Sequence, residues 1–589
     1  MVDKMPLRVF LEVVERRLAE CSADELRDIL RAMAWRVHLA DRQAFLAQLG
    51  VGEVVVPPSQ TVWEHLLSDI DDLALEIQRA MDSAGEWEDW HGWDYEDEET
   101  NLGPYERFVE PLSLLFERTA VAFDSGEVGL ALEAYRKLFT LLGLKGDYGW
   151  EIRLSDLHGV DNRETISRYL RAVYETTPPD RRPQALYDQM REARLWLGPF
   201  ERPMLDDLVR VSPHPLPGLE AFLADWIDFL RAQSGTDADV WLREAVRMAG
   251  GTAGLEALAR AEGRTRPRVY LDWFAALEEE GKYAEVLRAA QEALESLPPD
   301  LPIRAGIADH LCSAAAALGD PERFLFGRWE AFRAKPTLAR LLDLWEAVPT
   351  IQERIAWMER AVKHVGGVSR RGRKAAVAPS LYVEPDGLER PAVPDHNLCA
   401  HARLLACDLE AAHRPVVNKP VLGWSTRSSD QALIVSFLLV LLSHRSLEEL
   451  PPNLASLWSW SLLATSLGFW SYGRLGEGEE GLLGRLNAAY AECLAWGRES
   501  GRLDLDEQRE QAYMAWCLDV ARRRVVAIVG NQHRSSYGKA AALTVACAEV
   551  LQLRGEEGSA REWVEGIRDR FPRHRAFQAQ LRSALQQSG

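Results

Sequence analysis

The residues of this chain whose types best suit chemistry are a small Cys/His group: Cys399, His401, Cys407 and His413. Thiolate and imidazole groups bind zinc, but a structural zinc site needs ligands in close pairs that close a tetrahedron. Cys399 and Cys407 are about two helical turns apart, on a stretch whose apolar residues follow a helical period. We therefore predict an ordinary helix here, with no metal and no cofactor.

Motifs of common enzyme classes are absent from the sequence. It has no GxxxxGK[ST] loop, no GxGxxG after a strand, no GxSxG and no HExxH, and its 13 histidines are dispersed. We predict that the protein is not an enzyme. Because the members of a catalytic triad need not be adjacent in sequence, an enzyme with an unrecognised site in a helical array is our alternative from another class.

An acidic and aromatic strip, EWEDWHGWDYEDEE, spans Glu86 to Glu99. We predict an exposed loop whose Trp side chains pack back on the protein. The alternative is a docking strip for a basic peptide, since indole rings attract Lys and Arg through cation–π contacts. The candidate partner-binding residues are Trp87, Trp90, Trp93, Asp94, Tyr95 and Glu96.

A basic cluster interrupts a stretch rich in Gly and Pro, Gly366 to Asn397, which lacks a helical period. We predict a solvated inter-domain linker or long exposed loop. The alternatives are a contact to RNA or DNA and a protease cleavage site. The candidate residues are Arg370, Arg371, Arg373 and Lys374.

Two stretches carry the pattern of paired antiparallel helices. Ser125 to Gly143 and Tyr270 to Ala293 each combine a Gly-marked turn, small residues at a helix crossing and apolar residues three and four apart. A nearly continuous helical period from Tyr105 to His364, without alternating strand patterns, extends this assignment. We predict an all-α protein, a TPR-like α-solenoid of stacked antiparallel helix pairs in two halves.

Breaks in the helical period suggest the domain organisation. We predict an N-terminal helical cap (1–60), a TPR-like helical array (61–365), a linker or loop (366–397) and a C-terminal helical array (398–589). Four helical units are expected at the C-terminal end: Leu505 to Val529, His533 to Arg554, Ser559 to Phe571 and His574 to Leu585.

Two apolar stretches require a comparison with membrane helices. Ala432 to Leu442 has about half the required length, and Pro451 to Tyr472 contains recurring polar residues. We predict that both are buried core helices. Most of the 20 Trp residues are expected to be wedges between helices rather than parts of a ligand cage.

Charge and cysteine content restrict the partners and the compartment. The formal net charge of −21 disfavours broad nucleic-acid binding and docking on anionic membranes, and favours partners with basic faces. The seven Cys are dispersed without a CxxC pair, which indicates a reduced set, and the N-terminal sequence is typical of an amphipathic helix rather than a signal peptide. We predict a cytoplasmic protein.

Three segments resemble bacterial SWIM zinc-finger family proteins: FERTAVAFDSGEVGLALEAYRKLFTLL, VLGWSTRSSDQALIVSFLLVLL and Asn531 to Leu581. In that family a zinc module precedes a long TPR-like region. The CxC half of the SWIM motif is missing here, and Cys399-x-His401 supplies only the CxH half. The resemblance therefore implies the helical scaffold without the zinc or its nucleic-acid contact. It also implies a bacterial defence or conflict operon as the context.

These features together predict a non-enzymatic scaffold or regulator. Stacked helix pairs leave a concave groove, and we expect this groove to bind a protein partner through a basic or helical segment of that partner. The alternative within binding proteins is a regulator like those of type III CRISPR systems, in which a protease cuts the linker and frees an effector such as a sigma factor. The basic linker between two helical halves motivates that alternative.

Overall fold

The protein is all-helical, as predicted. The computed structural model describes residues 45, 49–50, 65–82, 102–144, 151–198, 201–372, 396–424, 430–466 and 477–588, which form 23 α-helices and no strand. The N-terminal cap predicted for 1–60 lies outside these residues, apart from residues 45 and 49–50.

The chain divides into two compact units, of which the first ends at Gly251. Several consecutive helices of this unit pack on one another, others pack on a helix earlier in the chain, and short 3-10 turns join some of them. Its helices are α1 (Leu66–Asp82), α2 (Val109–Asp124), α3 (Val128–Leu142), α4 (Asn162–Thr176), α5 (Arg182–Ala193), α6 (Leu205–Arg210), α7 (Leu219–Arg231) and the part of α8 (Thr236–Glu262) that precedes its kink at Gly251.

The first predicted helix pair shows why these segments fold as hairpins. Gly126 lies in the turn between α2 and α3 with φ +92°, a left-handed conformation that suits a residue without Cβ. Phe116 of α2 then contacts Tyr135 and Phe139 of α3, with ring centroids 6.3 and 5.8 Å away. All three rings are buried, so the apolar periodicity of both helices is used in one interface.

The second unit begins at Thr252, and its first part contains six further helices. Gly281 at φ +72° and Gly319 at φ +69° form turns between helices, while Asp320 and Thr337 cap the helices that follow them. The helices are α9 (Val269–Glu279), α10 (Tyr283–Ser296), α11 (Arg304–Leu318), α12 (Pro321–Ala334), α13 (Leu338–Glu346) and α14 (Ile351–Gly372). Each packs on the next.

The C-terminal part of the second unit is packed around a central helix, α17, whose 13 residues are all buried. Helices α18, α20 and α21 surround it. The helices are α15 (His396–Leu405), α16 (Leu409–His413), α17 (Asp430–Leu442), α18 (Pro452–Ser466), α19 (Glu477–Glu499), α20 (Glu507–Gly530), α21 (Tyr537–Leu553), α22 (Glu557–Arg570) and α23 (Arg575–Ser588). The four predicted C-terminal helical units correspond to α20–α23.

Both apolar stretches form core helices in the part that is described. Residues 432–442 are fully enclosed in α17, while α18 buries one face and includes residues up to Ser466. Among the described helices, none combines the length and the apolar character that crossing a membrane requires. Among the described residues, eight Trp side chains are buried: Trp226, Trp241, Trp273, Trp329, Trp345, Trp424, Trp458 and Trp563.

The segment 366–397 differs from its predicted form at both ends. Helix α14 continues through Gly366 and Gly367 to Gly372, and α15 begins at His396. The two glycines weaken a helix by about 1 kcal/mol each, but buried Ala361 and Val365 anchor the preceding turns. Moreover, α14 and α15 pack on each other and share one hydrophobic core, so the compact units divide at Gly251 rather than at this segment.

Candidate functional site

The sequence-predicted docking residues cannot be placed in the fold. Residues 83–100 lie outside the described part of the chain, so the acidic and aromatic strip stays a prediction. In the basic cluster, Arg370 and Arg371 belong to the last turn of α14, and Arg373 and Lys374 lie outside the described residues. The predicted strip residues concerned are Trp87, Trp90, Trp93, Asp94, Tyr95 and Glu96.

The Cys/His group has its members in separate surroundings. His401 on α15 is fully buried, with Nδ1 2.8 Å from the Tyr490 hydroxyl and Nε2 3.0 Å from Thr465 Oγ1. The Thr465 hydroxyl donates to the carbonyl of Ser461, so it accepts from His401 Nε2–H, and Nδ1 accepts from Tyr490. Burial lowers the pKa of His401 to about 3, which keeps the ring neutral.

Cys407 and His413 lie against other partners. Cys407 Sγ is 3.4 Å from Cys493 Sγ, and the His413 ring packs edge-on against Trp516 with centroids 4.4 Å apart. Within the part of the chain that the structure describes, no group of three or more His, Cys, Asp or Glu could hold a metal ion. The nitrogens of His401 are instead used in a buried hydrogen-bonded chain.

A different site, which sequence reasoning missed, brings together Trp424, Trp460, Arg524 and Lys539; we call it the Arg524 cluster. The guanidinium carbon of Arg524, on α20, lies 4.1 Å from the ring centroid of Trp424 and 5.8 Å from that of Trp460. Its Nη1 donates to the carbonyl of Val421 at 2.6 Å. The Lys539 ammonium, on α21, lies 4.9 Å from the ring centroid of Trp460.

Arg524 is the one buried arginine of the described residues that has no carboxylate partner. Its residue exposure is 5%. The others are paired: Arg168 with Asp124 and Glu164, Arg171 with Glu175, Arg243 with Asp239 and Arg304 with Glu330. Among the described residues no carboxylate offsets the hydration that Arg524 loses, and burial lowers its pKa to about 10.

The charge of Arg524 also acts on its neighbour. Partial burial and, after it, the positive charge of Arg524 lower the pKa of Lys539. Two cations therefore share one indole, that of Trp460, and neither forms an ion pair with a carboxylate of the described residues. The four residues come from four separate segments, so their spacing in the sequence carries no signal. The one signal that could have suggested the Arg524 cluster is that Arg524 lies on the buried face of α20.

A second polar feature runs over helices α9, α11, α13 and α19; we call it the charged ladder. His310 Nδ1 lies 3.0 Å from Glu278, Arg340 binds both oxygens of Asp309 at 2.8 and 2.7 Å, and Arg485 binds Asp343 at 2.6 Å. These contacts join helices rather than residues of one helix. They hold charged side chains in fixed positions on successive elements. Its residues are Glu278, Asp309, His310, Arg340, Asp343, Glu346 and Arg485.

Comparisons with known proteins do not identify the chain: no family model and no curated protein matches it.

Proposed function

We propose that the protein is a non-enzymatic, TPR-like helical-repeat scaffold or regulator that binds another protein in the cytoplasm. The observation that carries this proposal is the combination of serial helix packing from α9 to α14 with the charged ladder across it. A repeat array positions side chains at regular intervals, which suits recognition of an extended or helical segment. The ion pairs reduce the side-chain entropy that binding would otherwise cost.

The charge of the chain favours a partner with a basic face. Net charge is −21, and the ladder contains exposed carboxylates: the side chains of Asp309 and Glu346 are 43% and 49% exposed. Carboxylates at such positions attract a basic segment and raise its association rate. Both are also held by arginines of neighbouring helices, so their direction is set before the partner arrives.

The test uses the partner captured from the native cell by the tagged, full-length protein. Cross-linking followed by mass spectrometry should place that partner on helices α9 to α14. The double variant Asp309→Lys, Glu346→Lys should weaken its binding, with most of the effect on the association rate at low salt. The control is the double variant Asp519→Lys, Glu562→Lys at exposed positions of α20 and α22, because it changes the net charge by the same amount.

Equal binding by the wild type, the ladder variant and the control would contradict the ladder as the binding surface. A partner cross-linked only outside α9–α14 would do the same. The enzyme alternative is tested on the same preparation by metal analysis and activity screens. A stoichiometric metal or nucleotide, or turnover that survives repurification, would favour it.

In the alternative of a protease-cleaved regulator, cutting the linker must separate the two helical halves and free the bound effector. Helices on both sides of residues 373–395 share one hydrophobic core, and Arg485 and Arg502 of the C-terminal side form ion pairs with Glu346 and Glu359 of the other. This arrangement argues against separation by cleavage alone. The SWIM resemblance and the defence context stay predictions from the sequence.

A further inference from the structure

The Arg524 cluster concentrates positive charge in a place where water is largely excluded. A buried guanidinium loses several kcal/mol of hydration unless a charged partner and hydrogen bonds replace it. Stacking on Trp424 returns about 2 kcal/mol, which is less than that loss. The guanidinium of Arg524 has five N–H donors, and one of them donates to the carbonyl of Val421. With respect to the residues that the structure describes, the cluster therefore holds a positive charge without a carboxylate partner and N–H donors without an acceptor.

The acidic group nearest in sequence to Trp424 is already occupied. Asp430 begins α17 and its carboxylate binds Lys419 at 2.6 Å, with 4% of the side chain exposed. The next residue, Gln431, accepts from Trp424 Nε1 at 3.0 Å and donates to the Val416 carbonyl at 2.9 Å. These bonds fix Trp424 under the guanidinium. The cations are thus held in place without help from Asp430.

We propose that the Arg524 cluster binds a phosphate group. Two unpaired cations match the charge of a phosphate dianion better than that of a carboxylate. The guanidinium fork suits two oxygens of a tetrahedral anion, and Lys539 supplies a point charge at the accessible side. The half-buried indole of Trp460 adds an apolar wall beside the anion.

The accessible side of the site also indicates the size of the ligand. Lys539 is exposed, whereas Arg524 is buried behind the two indoles. A phosphate could therefore reach the guanidinium from the Lys539 side, either as the free ion or as the terminal group of a small monoester. The side chain of Leu422, two residues before Trp424 in the same loop, is exposed and adds an apolar group on this segment.

Isothermal titration calorimetry of the full-length protein with inorganic phosphate tests this proposal, at constant ionic strength against chloride. We expect one site, and an affinity about tenfold lower for Lys539→Gln, because one charge-assisted hydrogen bond is lost. Arg524→Lys keeps a charge but loses the fork, and should weaken binding further. Arg522→Gln is the control: it lies two positions from Arg524, over Trp563, and should bind like the wild type.

Phenyl phosphate and benzoate distinguish the chemistry and its source. Tighter binding of phenyl phosphate than of inorganic phosphate would assign the site to monoesters, and equal binding to the free ion. Benzoate binding as tightly as phenyl phosphate would overturn the phosphate assignment. So would the absence of heat at millimolar phosphate, or an unchanged affinity in Lys539→Gln. Lys539 is exposed, so this variant decides the question even if Arg524→Lys does not fold.

Discussion

The guanidinium of Arg485 on α19 donates to the carboxylate of Asp343 on α13 at 2.6 Å and to that of Glu346 at 2.7 and 2.9 Å. This contact joins helices that lie on opposite sides of residues 373–395 in the chain. Trp345 Nε1 adds a hydrogen bond to Glu492 at 3.3 Å, and Arg354 pairs with the same carboxylate. The α13–α19 interface is therefore both polar and apolar.

Cutting the chain between Gly372 and His396 should leave the two fragments together. The experiment introduces a site for a specific protease into this segment and cuts the purified protein. Gel filtration then measures whether the fragments elute together, and circular dichroism measures the helix content. We expect co-elution and unchanged helicity, because the core continues from Trp329 to Ala584 across the cut. Arg485→Glu should make the fragments separate at a lower urea concentration.

The matched variant for this experiment is Arg523→Glu. Arg523 forms its ion pair with Asp519 within one helix, so it should not change the association of the fragments. Separation of the wild-type fragments in buffer alone would contradict the shared core as the dominant force. That outcome would support the cleaved-regulator alternative.

Acid should destabilise the protein through His401. The pKa of this buried ring is about 3, below its ordinary value of 6.5, so the unfolded chain takes up a proton first as the pH falls. The stabilisation is complete above pH 6.5 and is lost progressively towards pH 3. Urea unfolding at pH 7 and pH 5 should therefore show a smaller loss for His401→Gln than for the wild type.

Tyr490→Phe is the control for His401. It removes the donor to Nδ1 and should lower the free energy of unfolding at both pH values by about 1–3 kcal/mol. If the wild type and His401→Gln respond identically to pH, the ring is not kept neutral by burial.

Two glycines on helices should respond in opposite directions to alanine. A Cβ on Gly327 would lie 2.5 Å from Cys312 Sγ and 2.9 Å from Leu311 Cδ2, so Gly327→Ala must shift these side chains or move α11 away from α12. We expect a loss of about 1–3 kcal/mol. Nothing lies within 4 Å of a Cβ on Gly366, and Gly366→Ala should add about 1 kcal/mol through helix propensity. Thermal unfolding measures both, and effects of the same sign would contradict the packing at Gly327.

Glu244 should give the opposite pH dependence to His401. Its carboxylate accepts from the backbone N–H of Leu205 and Asp206 at 3.0 and 2.9 Å, and burial raises its pKa to about 7. The folded state holds this proton more tightly, so its contribution to stability falls as the pH rises from 4.5 to 7.

Glu244→Gln should remove that decline, since the amide oxygen can still accept one hydrogen bond. The measurement is the free energy of unfolding from pH 5 to pH 7.5, taken as the difference between wild type and variant. A difference that does not change with pH would mean that the carboxylate stays ionised throughout.

Local sequence patterns were sufficient to predict most helices. Apolar residues at helical spacing and Gly turns predicted the α2–α3 and α9–α10 hairpins, because these signals act over a few residues. The same reasoning ended the helix too early at Gly366. A pair of glycines lowers local propensity, yet neighbouring turns of α14 are held by a core that the local sequence does not show.

The sequence by itself determined that the chain is helical, acidic and rich in Trp, since period and composition are properties of the chain. Only the tertiary structure decided that His401 is neutral in a hydrogen-bonded chain and that Arg524 and Lys539 share the indole of Trp460. Burial and pairing depend on which distant segments meet. The side chain of Arg524 has the same chemistry as that of Arg522, and packing alone makes one of them a candidate site.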